Sequence, residues 1–227
     1  MKAMVLAAGL GTRLRPLTDT RPKALVEIGG RTLLEINLER LRTFGVDDVI
    51  INVHHFADMM VEYLKAKDNF GMHLAVSREA ELLDTGGGLK KAAWFFGDDA
   101  EPFVLHNVDV ITSIDLRRMA EYHNEHAALA TLAVQDRRTS RPLAFDQQLR
   151  LTGRGAGFAF SGIHVISPRL LPMLKEDGAF SIIDSYLRLA SEGKKILGFR
   201  ADEYEWRDVG KLDDLSAASD ANSANRA

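Results

Sequence analysis

The chain opens with Met1-Lys-Ala-Met-Val-Leu-Ala-Ala-Gly-Leu-Gly-Thr-Arg-Leu-Arg-Pro-Leu-Thr-Asp-Thr-Arg-Pro-Lys-Ala-Leu25, and this segment is the most informative part of the sequence. An unbroken apolar run over residues 3–8 ends at Gly9 and Gly11, which predicts a buried strand that opens into a loop lying close to a ligand. Backbone N–H groups of residues 9–12 can point into one concavity, and Arg13 and Lys23 add positive charge beside it. We therefore predict a phosphate-binding loop.

Two common phosphate loops do not fit this stretch. A dinucleotide-binding fingerprint needs a third small residue where Leu14 stands, and a Walker loop needs Gly-Lys-Ser/Thr five residues after its first glycine. The stretch instead resembles the opening of the sugar-1-phosphate nucleotidyltransferases, in which Leu-Ala-Ala-Gly-x-Gly-Thr-Arg-Leu-x-Pro-Leu-Thr precedes Pro-Lys-x-Leu. Residues 6–25 fill that pattern without a gap.

Composition sets the general class. With 227 residues, of which 46% are hydrophobic and 27% charged, the chain can form one domain with a full core. A net charge of −3 argues against a nucleic acid polymer as partner. The absence of cysteine excludes disulfides and thiolate metal sites and is compatible with a cytoplasmic enzyme. The apolar run at the start is too short for a signal peptide or a membrane span, so we expect no membrane association.

The order of apolar segments predicts an α/β fold. Strands and helices alternate over residues 3–67, which indicates a parallel sheet with right-handed crossovers, and the helix near residue 33 has a capping box at Thr32. Three glycines at 86–88 predict a second loop, followed by a helix over residues 89–96. Strands at 196–200 and 205–209 are expected to complete the sheet, and 212–218 to form a closing helix.

The resemblance implies a Rossmann-like three-layer sandwich with a mixed, mostly parallel sheet. Residues 136–157, with short strands and turns, are expected to form a small β-rich insertion on the sugar side. We expect one domain over residues 1–218, a disordered tail over 219–227, and a monomer or homodimer.

The resemblance also implies the nucleotide site. Arg13 and Lys23 match the catalytic cations, and the residues expected to contact the nucleoside triphosphate are Leu6, Ala8, Gly9, Gly11, Thr12, Arg13, Lys23, Gly86 and Gly87. The last two come from a Glu-x-x-Leu-x-Thr-Gly/Ala-Gly-Gly motif whose glycine backbone lies against the base in the family.

Two further motifs imply a metal site. Asn107-Val-Asp109 and Trp206-Arg-Asp208-Val-Gly210 resemble family segments whose aspartates hold magnesium together. Mg²⁺ is a hard ion that is typically bound by one or two carboxylates plus substrate phosphates. We therefore expect Asp109 and Asp208 to share one Mg²⁺.

The sugar side is less fully matched. The resemblance implies sugar contacts from Asn107, Gly162 and Asp184. Many members of the family carry Glu-Lys-Pro before the sugar strand, and its lysine meets the sugar phosphate. Residues 149–157 lack that motif, so either Arg154 or a cation between residues 137 and 141 is expected to replace the lysine.

The implied reaction is attack of a sugar 1-phosphate oxygen on the α-phosphorus of a nucleoside triphosphate, without a covalent enzyme intermediate. Chain length and the Pro-Leu-Thr-Asp opening are most similar to uridylyltransferases that act on N-acetylmuramate 1-phosphate in cell-wall recycling, which favours UTP. Mannose-1-phosphate guanylyltransferase is the nearest alternative. A non-catalytic nucleotide-sugar sensor is the alternative from another class, and the joint retention of Arg13, Lys23, Asp109 and Asp208 argues against it.

Overall fold

A computed structural model describes residues 1–97 and 100–210. The strands are β1 (Lys2–Leu6), β2 (Glu27–Ile28), β3 (Arg31–Thr32), β4 (Asp48–Val53), β5 (His73–Arg78), β6 (Phe103–Asn107), β7 (Val110–Thr112), β8 (Ala130–Gln135), β9 (Leu143–Phe145), β10 (Leu151–Arg154), β11 (Ala159–Ile166), β12 (Ile196–Arg200) and β13 (Trp206–Asp208). The α-helices are α1 (Leu33–Thr43), α2 (Ala57–Ala66), α3 (Asp84–Ala92), α4 (Leu116–Glu125) and α5 (Ile182–Ser191). Short 3₁₀ turns lie at Thr12–Leu14, Leu17–Asp19, Lys23–Leu25, Asp68–Gly71, Ala93–Phe95 and Pro168–Met173.

The central sheet has the order β12-β8-β11-β6-β1-β4-β5 in the described part of the chain. Strand β11 runs antiparallel to β6 and β8, whereas the other neighbouring pairs are parallel. The predicted mixed, mostly parallel sheet is therefore confirmed. Its parallel half gathers the carboxyl ends of β1, β4 and β6 at one edge, where ligands bind in open α/β sheets.

Helices cover both faces of this sheet. One buried cluster joins α1, α2 and α4 to the sheet, and a second joins α3 and α5 to it. Strand β1 contributes Ala3 and Val5 to the first cluster and Met4 to the second. Burial on both faces explains why this strand is apolar without alternation, and the arrangement confirms three layers.

The predicted start of α1 is confirmed. The Thr32 side chain accepts a hydrogen bond from the backbone N of Glu35 at 3.0 Å and caps α1. This bond satisfies one of the N–H groups that the first turn of a helix leaves without partners.

The prediction of a loop at residues 86–88 is wrong, because α3 begins at Asp84 and contains all three glycines. Their smallness serves helix packing: a Cβ on Gly86 would lie 2.2 Å from Cε2 of Phe180, and one on Gly87 would lie 2.4 Å from the carbonyl oxygen of Gly178. The backbone N of Gly86 also donates to the Phe180 oxygen at 2.9 Å. Packing against residues 178–182 therefore stabilises the first turns of α3 in spite of their glycines.

Strand β13 does not complete the central sheet, in contrast to the prediction. It pairs antiparallel with β7 in a separate two-stranded sheet, with Asp208 opposite Val110. Within the expected β-rich insertion, β9 and β10 pair antiparallel. The helix predicted at 212–218 and the tail at 219–227 lie outside the described residues. Within residues 1–97 and 100–210, no helix combines the length and apolar character needed to span a membrane.

Candidate active site

The loop after β1 is held in one conformation by close packing. Gly11 has φ +65°, and a Cβ at this position would lie 2.9 Å from Cγ2 of Thr18 and 3.0 Å from Cβ of Lys23. The Thr18 hydroxyl donates to the carbonyl oxygen of Gly11 at 2.8 Å. Only glycine combines this backbone conformation with so little room, so the sequence signal at Gly11 reflects a constraint of the loop itself.

A cavity of about 440 Å³ opens where β1, β4 and β6 end, a volume within the range of small-molecule sites. It is lined by Leu6, Ala8, Gly9, Lys23, Asn52, Leu82, Asp84, Thr85, Asn107, Val108, Asp109 and Ala179. Four of the residues predicted to contact the nucleotide are in this lining, together with one predicted sugar residue and one predicted metal ligand. Gly11, Thr12 and Arg13 lie on the loop that continues from this wall.

A buried polar brace fixes the junction between β1 and its loop. The backbone N of Ala7 donates to Oδ1 of Asn52 at 2.7 Å, and Nδ2 of Asn52 donates to Oε1 of Glu79 at 2.7 Å. The other carboxylate oxygen of Glu79 accepts from the backbone N of Leu83 at 3.1 Å. Asn52 and Glu79 are both buried. The brace therefore links the loop after β1 to the segment that precedes α3, on the opposite wall of the cavity.

Each predicted catalytic cation lies beside one predicted metal ligand. Lys23 is only 7% exposed, and its ammonium group donates to Oδ2 of Asp109. Arg13 is exposed, and its guanidinium lies over Gly210: a Cβ on Gly210 would be 2.7 Å from Nη2 of Arg13 and 2.6 Å from Oδ1 of Asp208. The cleft thus combines two cations with two carboxylates.

Backbone pairing brings the two aspartates together from distant parts of the chain. Asp208 is opposite Val110, and the backbone N of Val209 donates to the carbonyl oxygen of Asp109 at 2.9 Å. Both side chains are half-buried beside the cavity. In residues 1–97 and 100–210 no group of three or more His, Cys, Asp or Glu side chains could hold a metal ion. A pair of carboxylates that relies on substrate oxygens for further ligands fits a hard divalent cation, and the shared Mg²⁺ stays a prediction.

The residues predicted on the sugar side are only partly assembled. Gly162 has φ +76°, and Nδ2 of Asn107 would lie 3.0 Å from a Cβ at this position, so these two residues are adjacent. Asp184 is exposed on α5 and forms an ion pair with Nη2 of Arg154 at 2.9 Å. It does not line the cavity. The sugar-binding roles of these residues stay predictions.

The wall near the predicted base site differs from expectation. Gly86 and Gly87 are buried, and the side that lacks a side chain faces residues 178–182. Asp84 and Thr85 line the cavity instead. Substitution of either glycine would displace residues 178–182, so its effect would combine disturbed packing with any lost contact to the base. The predicted contact of these glycines with the base stays a prediction.

Sequence reasoning did not single out Asn52, Leu82 or Ala179, although all three line the cavity. Asn52 left one signal, a polar residue inside the apolar strand Val49-Ile-Ile-Asn-Val53. Leu82 is the leucine of the Glu-x-x-Leu motif that begins at Glu79. Ala179 left no signal, because an apolar residue in a connecting segment gives no periodicity to follow.

A glycine-rich loop after a central parallel strand, next to cations and paired carboxylates, is typical of nucleotide-binding α/β enzymes. The family described as "Nucleotidyl transferase" matches residues 2–145. The chain belongs to this family and is a sugar-1-phosphate nucleotidyltransferase, as its opening motif predicts.

Relatives agree with this assignment. N-acetylmuramate alpha-1-phosphate uridylyltransferase of Caulobacter vibrioides is 34% identical over 229 residues, covering 92% of this chain and 91% of the relative. Mannose-1-phosphate guanyltransferase of Aspergillus fumigatus is 30% identical over 95% of this chain, which spans 62% of that relative. A putative glucose-1-phosphate thymidylyltransferase from Bacillus anthracis, solved in complex with a sucrose, has a TM-score of 0.84 at 19% identity, covering 97% of this chain and 94% of that one. The last similarity is one of fold.

Proposed function

We propose that this enzyme transfers a uridylyl group from UTP to N-acetylmuramate 1-phosphate or a closely related sugar 1-phosphate, forming the UDP-sugar and releasing pyrophosphate. The observation that carries the proposal is the buried ion pair of Lys23 and Asp109 in the cavity wall, beside the phosphate loop. Similarity to the Caulobacter uridylyltransferase along nearly the full length of both chains supports the choice of base and sugar.

In this proposal the loop and its cations receive the triphosphate. Backbone N–H groups of residues 9–12 bind phosphate oxygens, and Arg13 and Lys23 offset the negative charge that grows on the pyrophosphate as it leaves. An oxygen of the sugar phosphate attacks the α-phosphorus, and the bond to the pyrophosphate breaks. Phosphoryl-type transfer requires mainly positioning and charge stabilisation, so no protein nucleophile is needed.

Asp109 and Asp208 are proposed to hold one Mg²⁺. When bound, the ion reduces the repulsion between the phosphates that must approach each other. The chain itself contributes the two carboxylates, held side by side by the β7–β13 pairing. Lys23 stabilises Asp109 until the substrates arrive.

A guanylyltransferase acting on mannose 1-phosphate is the second candidate. It is supported by the 30% identity to the Aspergillus fumigatus guanyltransferase over 95% of this chain. That relative is longer, whereas the uridylyltransferase matches this chain nearly end to end. We therefore place it second.

The test is a matrix of UTP, dTTP, GTP, CTP and ATP against several sugar 1-phosphates, with Mg²⁺ present and pyrophosphate release as the readout. UTP with N-acetylmuramate 1-phosphate is expected to give the highest kcat/KM, and Lys23→Ala to lower turnover roughly 10²–10³-fold. Lys65→Ala, which removes an exposed cation on α2, is the matched control. Highest kcat/KM with GTP and mannose 1-phosphate would replace the proposal by the second candidate, and no release in any combination would favour the sensor.

The remaining expectations belong to the same proposal. Residues 1–218 form one catalytic domain with the sugar-side insertion at 136–157, and the enzyme acts in the cytoplasm as a monomer or homodimer. Pairing of β10 with β9 and contact of β10 with α5 support placing the insertion beside the sugar side.

A further inference from the structure

Arg137 lies two residues after the end of β8, and its guanidinium contacts Trp206 and Phe160. Its guanidinium carbon lies 3.5 Å from the centroid of the Trp206 ring system, and its Nη2 donates to the carbonyl oxygen of Phe160 at 2.7 Å. Burial lowers the pKa of this guanidinium, and the nearby Asp208 carboxylate partly offsets that shift. An arginine remains charged under such conditions. The chain therefore fixes a cation in a half-buried position beside Asp208.

The surroundings of Arg137 connect the proposed metal site with the proposed sugar strand. Trp206 lies two residues before Asp208 on β13, and its Nε1 donates to the carbonyl oxygen of Ser161 at 2.8 Å. The next residue on β11 is Gly162, which is adjacent to the Asn107 amide. The guanidinium thus lies at the side of the cleft where the acceptor sugar is proposed to bind.

Arg137 also retains donors for a ligand. Within residues 1–97 and 100–210 the only side-chain hydrogen bond of Arg137 is the one from Nη2, and its Nε is buried. The remaining nitrogen, Nη1, is therefore the one that can donate to a ligand. Of the other candidate cations, Arg154 is already engaged with Asp184 on the surface, and Arg138 and Arg141 are exposed.

We infer that Arg137 binds the phosphate of the sugar 1-phosphate, an inference that rests on the proposed function. The reaction brings a second anion against the triphosphate, and Lys23 and Arg13 lie on the nucleotide side. A stacked arginine with free N–H groups suits a tetrahedral oxyanion. The carboxylate of N-acetylmuramate offers related chemistry, but proximity to Asp208, where the reacting phosphates are proposed to meet, favours the phosphate.

The test compares Arg137→Ala and Arg137→Lys with the wild type in steady-state assays. Loss of a charge-assisted contact is expected to raise KM for the sugar 1-phosphate roughly 10–100-fold, with KM for UTP and the melting temperature nearly unchanged. The Lys variant, which restores the charge, is expected to recover part of the loss. Arg117→Ala, which removes an exposed arginine on α4 without a side-chain hydrogen bond or ion pair in the described structure, is the matched control and should behave as wild type.

N-acetylglucosamine 1-phosphate, which lacks the carboxylate, separates the two anionic groups. A rise in KM for both sugar phosphates supports the phosphate contact, whereas a rise only for N-acetylmuramate 1-phosphate overturns it. If Arg137→Ala raises KM for UTP as much as KM for the sugar 1-phosphates and also lowers the melting temperature, Arg137 is a structural residue. The same defect in Arg154→Ala, with Arg137→Ala unaffected, would also overturn the inference. If the wild type releases no pyrophosphate with any sugar 1-phosphate, the proposed function itself is wrong. If the wild type turns over normally and Arg137→Ala has the same KM for the sugar 1-phosphate, only the inference about Arg137 is wrong.

Discussion

Replacement of Asn52 by alanine tests whether the buried brace positions the nucleotide loop. The side chain accepts from Ala7 and donates to Glu79, both at 2.7 Å. Asn52→Ala leaves the N–H of Ala7, which is buried, without its partner and removes one donor from the Glu79 carboxylate. The change therefore acts on the first residue after β1, next to the residues that line the cavity.

The expected loss of stability follows from these two bonds. A buried unpaired donor costs about 1–3 kcal/mol, and a hydrogen bond to a charged group contributes about 1.5–3 kcal/mol. Asn52 borders the cavity, so water replaces part of both interactions, and we expect a total of about 2–4 kcal/mol. For a protein of this size the melting temperature should fall by roughly 5–15 °C.

Thermal unfolding and steady-state kinetics measure the two consequences. Because displaced loop residues no longer align the phosphates, KM for the nucleotide should rise about 10–100-fold. Asn124→Ala removes an exposed asparagine from α4 and is the control. Asn52→Asp keeps the acceptor for Ala7 but confronts Glu79 with a second carboxylate, so it should be less stable than wild type. A large drop in melting temperature with unchanged nucleotide KM would refute the positioning role.

Three further outcomes are expected. Asp109→Asn and Asp208→Asn should each abolish most pyrophosphate release, and the double variant should be scarcely worse, since both disable one unit; multiplicative losses would mean separate roles. Gly210→Ala should impair turnover while the melting temperature changes little, because the new methyl group displaces only the flexible ends of Asp208 and the neighbouring arginine; normal kcat would contradict this. Burial lowers the pKa of His106 to about 4 and of His164 to about 3 from 6.5. As pH falls from 6.5 to about 4.5, the two histidines take up protons only in the unfolded chain. Each should therefore lower the free energy of unfolding, measured in urea, by about 1.4 kcal/mol per pH unit. A free energy of unfolding that does not change over this pH range would reject this.

Local signals account for what the sequence predicted well. The apolar run of β1 and the glycine at position 11 predict a strand followed by a tight loop, and the capping box at Thr32 predicts the start of α1. Each of these features depends on interactions between residues that are close together in the sequence. Such local interactions can be predicted without knowledge of the tertiary structure.

Features that depend on distant contacts were missed. Glycine disfavours helix, so local propensity places residues 86–88 in a loop, whereas packing against Phe180 and Gly178 keeps them helical. The pairing of β13 with β7 likewise depends on residues about a hundred positions apart. Asn52 is recognisable as part of the site only once the positions of Ala7 and Glu79 are known. These three features are determined by tertiary contacts, which local secondary-structure propensity does not describe.

The charges of the site explain why its parts are arranged in pairs. A lysine as buried as Lys23 requires a partner, and Asp109 provides one before any substrate is present. Arg13 and Asp208 both lie next to Gly210, and the four side chains together carry no net charge. In the proposed function, a divalent ion held by Asp109 and Asp208 would supply positive charge at the carboxylates. Lys23 and Arg13 would then be available to the triphosphate, and Arg137 to the second anion that the reaction needs.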